Sequence, residues 1–316
     1  MKISCIVPAR NEASQVIPTL TSLREGGADE IILIDDGSET DHACHLPEAR
    51  ALADTLIHYK TARGPSHCRN VGAEASTGDI LVFCDCHVRC KPGSLRQFGM
   101  TAEGNQGWVN ATIQPLDPAS GKTWTKYGGA FNFISGGYEI LYRNDKPVEP
   151  VSAVTALIGA FYAVPREVFF SRMGMWPLTI SHGYNEQGVS MGAFFTGIPM
   201  VVDTGMVVQH QFKKTYNYDA RTLFPHINRY LVHFVLFSKD TFNDYWIPEM
   251  EKKFNTEKSR CRTIAPAMTM IKSPEWQERH EKFQALKKRT DQEFFDMVKN
   301  QGNLSLSGGN RETDGK

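Results

Sequence analysis

Two hydrophobic periods alternate along the first hundred positions. Residues 3–7 form a β-rich apolar run closed by Pro8, and residues 16–23 carry apolar side chains at helical spacing until Gly26-Gly27 interrupts them. Residues 30–34 are a short continuous apolar run, the mark of a strand buried on both faces, and lead into Asp35-Asp36-Gly37-Ser38. The pattern predicts an alanine-rich helix over 46–56, a short strand over 56–59, a helix over 66–75 and a fourth strand over 80–83 that runs into Asp85-Cys86-His87. Strands alternating with helices predict an α/β fold, a mostly parallel, doubly wound sheet whose ligands lie outside the carboxyl ends of the strands. Both acidic motifs fall at such ends.

The pattern then changes. Residues 107–150 are less regular and rich in aromatics, including Trp108, Trp124, Tyr138 and Tyr142. Residues 157–164 read as a strand, 186–195 as a helix and 200–210 as one or two strands. Beyond Asp219, the residues Leu223, Ile227, Tyr230, Leu231, Phe234 and Val235 share one helical face, and 275–299 reads as a charged amphipathic helix. The expected division is a sheet domain over 1–218, with halves at 1–100 and 101–218, a helical region over 219–300, and a disordered Gly/Ser/Asn-rich tail over 301–316.

Composition narrows the function classes. A chain of 316 residues that is 41% hydrophobic has ordinary globular makeup, and 35 Lys+Arg balance 35 Asp+Glu. Overall charge therefore gives no pull toward nucleic acid or an anionic membrane. The N-terminus lacks the apolar segment of a signal peptide or membrane span, and seven cysteines are an odd number in a chain too large to need stapling. The expectation is a cytoplasmic protein with reduced thiols and no integral membrane association.

Strand alternation predicts that Asp85 and His87 share one face, where a carboxylate and an imidazole can hold a divalent cation. A surface Asp and His closing a strand is the plainer reading. Asp36 offers acceptors for a nucleobase or ribose, or simply forms an Asp-Gly turn. Arg63 and Arg69 follow the third strand and can offset phosphate charge, though single arginines more often face solvent. Cys84, Cys86, Cys90 and His87 lack the paired spacing of a zinc knuckle, and His42, Cys44, His45, His67 and Cys68 are a weaker group still. Lys213, Lys214, Tyr216, Tyr218 and Arg221 interleave charge with aromatics, as a sugar or polyanion site does.

In order, the chain carries Pro8-Ala9-Arg10-Asn11-Glu12, the run to Ser38, Arg63 to Ala73, Ser76-Thr77-Gly78-Asp79 leading to Asp85-Cys86-His87, Leu157-Ile158-Gly159-Ala160-Phe161, Gly183-Tyr184-Asn185-Glu186 and His210-Gln211-Phe212-Lys213-Lys214. This order resembles family 2-type glycosyltransferases of the GT-A fold over roughly residues 3–218. The Asp-x-His form is similar to the polypeptide N-acetylgalactosaminyltransferases. The resemblance implies a UDP-sugar donor and Mn2+ or Mg2+, with Asp85, His87 and His210 as metal ligands. It places Pro8, Arg10, Asp36, Arg63, Arg69 and Asp85 around the nucleotide, with Asp36 at the base and Arg69 near the uridine. A loop at 213–221 would close over the donor.

The segment His182-Gly183-Tyr184-Asn185-Glu186 departs from the family's Trp-Gly-Gly-Glu-Asn. Asn185 and Glu186 are the expected catalytic pair, with Glu186 either the base of an inverting transfer or a positioning group in a retaining one. As a carboxylate at a helix N-terminus, Glu186 also has a purely structural reading. Retention is favoured. Neither the membrane anchor nor the lectin domain of the animal enzymes is expected, so the acceptor (protein, glycan, lipid or modified nucleobase) does not carry over. Two alternatives stand beside this reading: a non-catalytic binding module of the same fold, and a nucleotidyltransferase that makes nucleotide-sugars. The latter needs a glycine-rich phosphate loop that residues 8–12 do not supply.

Overall fold

The computed structural model describes residues 1–40, 43–44, 47–117, 124–134, 136–172, 179–212 and 224–301. Strands β1 (Ile3–Ala9), β2 (Glu30–Asp36), β3 (Thr55–Tyr59) and β4 (Ile80–Cys84) pair in parallel in the order β3-β2-β1-β4. Helices α1 (Ala13–Gly26), α2 (Pro47–Leu52) and α3 (Pro65–Ala75) connect them. Alternation along β1 sends Ile3, Cys5, Val7 and Ala9 into one core layer and Ile6 into the other. Both faces are therefore covered, which is why these strands read as unbroken apolar runs.

The sheet continues through elements that the pattern resolved poorly. After β5 (Val88–Cys90) and α4 (Ser94–Asn105) come β6 (Trp108–Pro115) and an antiparallel hairpin of β7 (Gly129–Ile134) and β8 (Gly137–Tyr142). These strands lie within the stretch read as irregular. The short β9 (Val151–Ala153) pairs with β11 (Met200–His210), and β10 (Phe161–Pro165) runs antiparallel between β4 and β6. The strand expected over 157–164 thus begins only at Phe161. The second half of the sheet is mixed rather than parallel, because β5, β9 and β10 each run against their neighbours. Two reversals around β10 restore direction, so β6 and β11 run the same way as β4. The carboxyl ends of β1, β2, β4 and β11 consequently open on one edge.

Helix α5 (Asn185–Thr196) lies where expected, and α6 (Phe224–Leu236) follows with its last ten residues all buried. The long helix expected over 275–299 is two helices, Pro274–Leu286 and Asp291–Asn300. Thr290 and Glu293 form a reciprocal capping box at the second start, a Thr-x-x-Glu signal present in the sequence. Phe294 packs edge-on against Phe131 and Tyr138 of the hairpin and Phe194 of α5, so the terminal helices share a core with the sheet domain's own elements. Leu223 and residues 302–316 lie outside the described residues.

At the opposite edge, Glu30 ties β2 to β1 and to the turn before β4. Its carboxylate accepts from the Thr77 backbone N–H (2.7 Å), the Thr77 hydroxyl (2.8 Å) and the Ser4 hydroxyl, with Lys2 Nζ at 3.4 Å. Burial by itself raises the Glu30 pKa, but these hydrogen bonds and the Lys2 charge bring it down to about 2. A depressed carboxyl stabilises the fold above its unfolded pKa and loses that contribution as pH falls through the folded value. Glu30→Gln is expected to destabilise the protein by about 1–2 kcal/mol at pH 7, allowing for solvent screening at Lys2. In paired thermal melts the difference should shrink from about pH 4.5 down toward pH 2; a gap that persists at acid pH would remove ionisation from the explanation.

Candidate functional site

The carboxyl edge carries a cleft of about 650 Å³, whose lining includes Pro8, Arg10, Glu12, Asp36, Gly64, Arg69, Asp85, His87, Gly159, His182, Glu186 and His210. Strand β4 ends at Cys84, so Asp85 and His87 stand in the turn before β5 and do not share a strand face as alternation predicted. The turn itself aims them. The Asp85 backbone N–H donates to the Ala160 carbonyl (3.0 Å) ahead of β10. His210 arrives from the other end of the domain because β11 pairs with β5 in a register that sets His210 opposite Val88, and Gln211 N–H donates to the His87 carbonyl (3.0 Å).

Asp85, His87 and His210 each offer one donor atom, all within 4.8 Å of one another, and form the one such group of three among the described residues. His210 Nε2 lies 3.3 Å from Asp85 Oδ2, and the two imidazole rings are 4.7 Å apart. Burial pushes the Asp85 carboxyl up, but the His210 hydrogen bond and the charges of His87, His210 and Arg69 outweigh it, and its pKa falls to about 2. Asp85 is an anion throughout the neutral range. Glu12 Oε1 is 3.4 Å from His87 Nδ1. The contact is an ion-pair distance and not a hydrogen bond, His87 Nδ1 having no hydrogen-bond partner; a carboxylate so placed favours Nε2 as the nitrogen for a ligand.

Arg69, on α3 and only 3% exposed, bridges two acids: Nη2 is 3.4 Å from Asp85 Oδ1 and Nη1 is 3.5 Å from Glu186 Oε1. Burial disfavours its charge, but Tyr162 and the carboxylates of Glu186 and Asp85 more than compensate and hold its pKa above the ordinary arginine value. Glu186 is the second residue of α5, and Gly159 passes so near that a Cβ there would stand 2.5 Å from Glu186 Oε1. No larger residue fits at 159 without moving the acid.

Four of the other expected residues, Pro8, Arg10, Asp36 and Asn185, also line the cleft. Asn185 is 2% exposed, and its amide oxygen accepts from the Ser66 and Thr179 hydroxyls. It lines the cleft beside Glu186, and the two hydroxyl bonds to its amide oxygen tie the start of α5 to α3. Asp36 lines the cleft, and its two oxygens accept from the Arg63 (2.6 Å) and Gly64 (2.9 Å) backbone N–H groups. It therefore shapes the loop before α3, where Gly64 (φ 94°) passes Ser181 so closely that a Cβ would be 2.3 Å from its carbonyl oxygen. Arg63 is exposed, its guanidinium 5.9 Å from the Tyr59 ring centre, and it is not among the side chains lining the cleft. Pro8 and Arg10 do line it.

Among the cleft residues that carried no expected role in the sequence, Glu12 and His182 stand nearest the three-residue cluster. Glu12 follows Asn11, a left-handed residue (φ 55°), and its position just past an apolar strand was the available signal. His182 lies on the wall beside Glu186 and Asp85; burial holds its pKa below the usual histidine value although both acids work against this. Cys84, Cys86 and Cys90 are buried free thiols, and burial pushes the Cys84 and Cys90 thiols up. Protonated thiols of this kind are poor metal ligands. His42, His45, Lys213, Lys214, Tyr216, Tyr218 and Arg221 lie outside the described residues. No described helix is long and apolar enough to cross a membrane.

The chain is similar to known glycosyltransferases. Mouse polypeptide N-acetylgalactosaminyltransferase 12 is 34% identical over 151 residues, 44% of this chain and 25% of that protein. The pre-mycofactocin glycosyltransferase of Mycobacterium tuberculosis is 33% identical over 100 residues, 30% of this chain and 20% of that protein. The chain thus spans a quarter or less of the length of these two curated relatives. Among solved structures, GalNAc-T7 with UDP, GalNAc and Mn2+ superposes with a TM-score of 0.67 at 16% identity, covering 95% of this chain and 57% of that one. S. aureus TarS 1-349 in complex with UDP-GlcNAc gives 0.52 at 14% identity, covering 90% and 79%. These likenesses establish a GT-A-type fold. The family described as glycosyl transferase family 2 matches residues 4–161, half of the chain, from β1 through the start of β10, and the protein belongs to that family.

Proposed function

We propose that the protein transfers a sugar from a UDP-sugar to an acceptor hydroxyl with the help of a divalent cation, Mn2+ or Mg2+. The observation that carries this reading is the meeting of Asp85, His87 and His210 beside the Arg69–Glu186 pair in one cleft. One carboxylate and two imidazoles suit such a cation while leaving positions for phosphate oxygens and water. A cation held there supplies positive charge to the departing diphosphate. Arg69 adds a fixed guanidinium next to the same point, and Glu12 keeps His87 oriented. The mouse relative is an N-acetylgalactosaminyltransferase and the GalNAc-T7 structure holds UDP and Mn2+, which favours the same donor class here.

In this reading, residues 1–100 form the nucleotide half, 101–218 complete the metal and acceptor side, and the helices beyond 219 support the hairpin wall. Transfer proceeds with retention of configuration. Arg69 Nη1 stands 3.5 Å from Glu186 Oε1 and engages that carboxylate in an ion pair, which favours a positioning role over that of a general base. The odd count of seven cysteines supports a cytoplasmic placement. Asp36→Ala is expected to weaken UDP binding about 10-fold, both by removing an acceptor and by releasing the Arg63–Gly64 amides it holds, with cation affinity unchanged. Calorimetry with UDP checks this; unaltered affinity in a folded variant removes Asp36 from the nucleotide site. The reading as a whole is tested by cation-dependent UDP release from a panel of UDP-sugars, and UDP that fails to bind with either cation present would overturn it.

A further inference from the structure

Among the described residues two buried arginines line the cleft, and their surroundings differ. Arg69, 3% exposed, has two carboxylates. Arg229, on α6 and 6% exposed, has none within ion-pair distance among the described residues. Its Nε makes no hydrogen bond, its Nη1 reaches only the Gly136 carbonyl at 3.4 Å, and its guanidinium lies 5.2 Å from the Tyr184 ring centre. A buried charge without a counter-charge is costly to keep. His226, one turn earlier on the same wall, has an Nδ1 without a hydrogen-bond partner, and burial together with the Arg229 and Lys253 charges holds its pKa below the usual value. Glu139 of β8 is the acid on this wall, and it forms no ion pair with Arg229. Since Tyr184 directly precedes Asn185-Glu186, this cationic wall stands on the Glu186 side of the cleft.

We infer that Arg229, with His226 beside it, is an anion subsite that holds a carboxylate or phosphate group of the acceptor and so presents the acceptor hydroxyl toward Glu186. The word acceptor rests on the glycosyl-transfer reading above; the anion subsite itself does not. Its chemistry is that of a guanidinium offering charge-assisted hydrogen bonds from a low-dielectric wall, which selects anionic over neutral ligands. Arg229 is not needed for the donor, whose diphosphate has the Asp85 group and Arg69.

The test uses the full chain with saturating UDP and Mg2+, so that the donor side is filled, and follows the guanidinium Nε–H resonance that disappears in Arg229→Gln. Acetate and inorganic phosphate are titrated separately, and the tighter of the two names the anionic group. A saturable shift is expected with at least one probe. By calorimetry, Arg229→Gln should weaken that probe about 10-fold or more while leaving UDP affinity unchanged. No saturable shift with either probe, or equal affinity in wild type and variant, overturns the subsite. A matching fall in UDP affinity would instead assign Arg229 to the donor. Loss of UDP binding in the wild type would sink only the glycosyl-transfer reading, because the anion titrations can be run without nucleotide. Should Arg229→Gln fail to fold, Arg229→Lys keeps the charge but loses the forked donors, and a thermal melt confirms its integrity before the same titrations; it should weaken the probe measurably, and equal affinity would again overturn the proposal.

Discussion

Asp85→Asn is expected to cut turnover about 1,000-fold, equivalent to the several kcal/mol that a bound cation supplies to a departing anion. The substitution conserves shape and removes the one anion of the three-residue cluster. Arg69 keeps Glu186 as a partner at 3.5 Å, so the buried guanidinium is not orphaned and the fold should survive. His210 and His87 remain, but two imidazoles without a carboxylate hold Mn2+ weakly, since that ion favours oxygen donors. Two measurements check the result: Mn2+ affinity in the presence of UDP, and UDP release from the donor. Both should fall together, and added Mn2+ in excess should restore part of the turnover. A folded Asp85→Asn protein with wild-type cation affinity would dissolve the proposed metal site. Chelation of wild-type protein should likewise silence it until Mn2+ is returned.

Glu186→Gln separates the two stereochemical mechanisms. With retention, no acceptor base is required on the far face of the sugar, and the variant should lose about 10-fold in turnover through poorer positioning of hydroxyls, the worth of one charged hydrogen bond. Donor and cation binding should hold, because Asp85, His87 and His210 are untouched. The product should keep the donor's anomeric configuration, read from the anomeric proton coupling by NMR. A loss of 100-fold or more, the scale of general-base catalysis, with an inverted product would make Glu186 the base and overturn retention. The glycosyl-transfer reading survives either result.

Local pattern was enough to place the first four strands and to mark their ends as the place for chemistry. A strand buried on both faces must be apolar throughout, and the chain can become polar only where it leaves the sheet; Asp36 and Asp85 stand at those exits. The order of motifs also made the family legible. Periodicity fails where one element serves two packings. β6, within the aromatic stretch, and β10, shorter than its apolar run, are fixed by pairing with strands distant in sequence, which no local window contains.

The site depended on tertiary structure more than the fold did. His210 reaches Asp85, 125 residues away, because β5 pairs antiparallel with the end of β11, and register is a property of two strands together. The same holds for side-chain roles. Asn185 and Glu186 are adjacent on α5, yet one accepts from the Ser66 and Thr179 hydroxyls and the other meets Arg69, because successive helical residues point about 100° apart into different neighbours. Arg63 and Arg69 looked equivalent in sequence; packing left one on the surface and buried the other between two acids. The residue types and their order, set by the chain, determined the sheet, its polar edge and the supply of donors. Which donors converge, which are spent on holding elements together and which buried charge is left for a ligand was decided by three-dimensional packing, because those outcomes depend on distances between segments far apart in the chain.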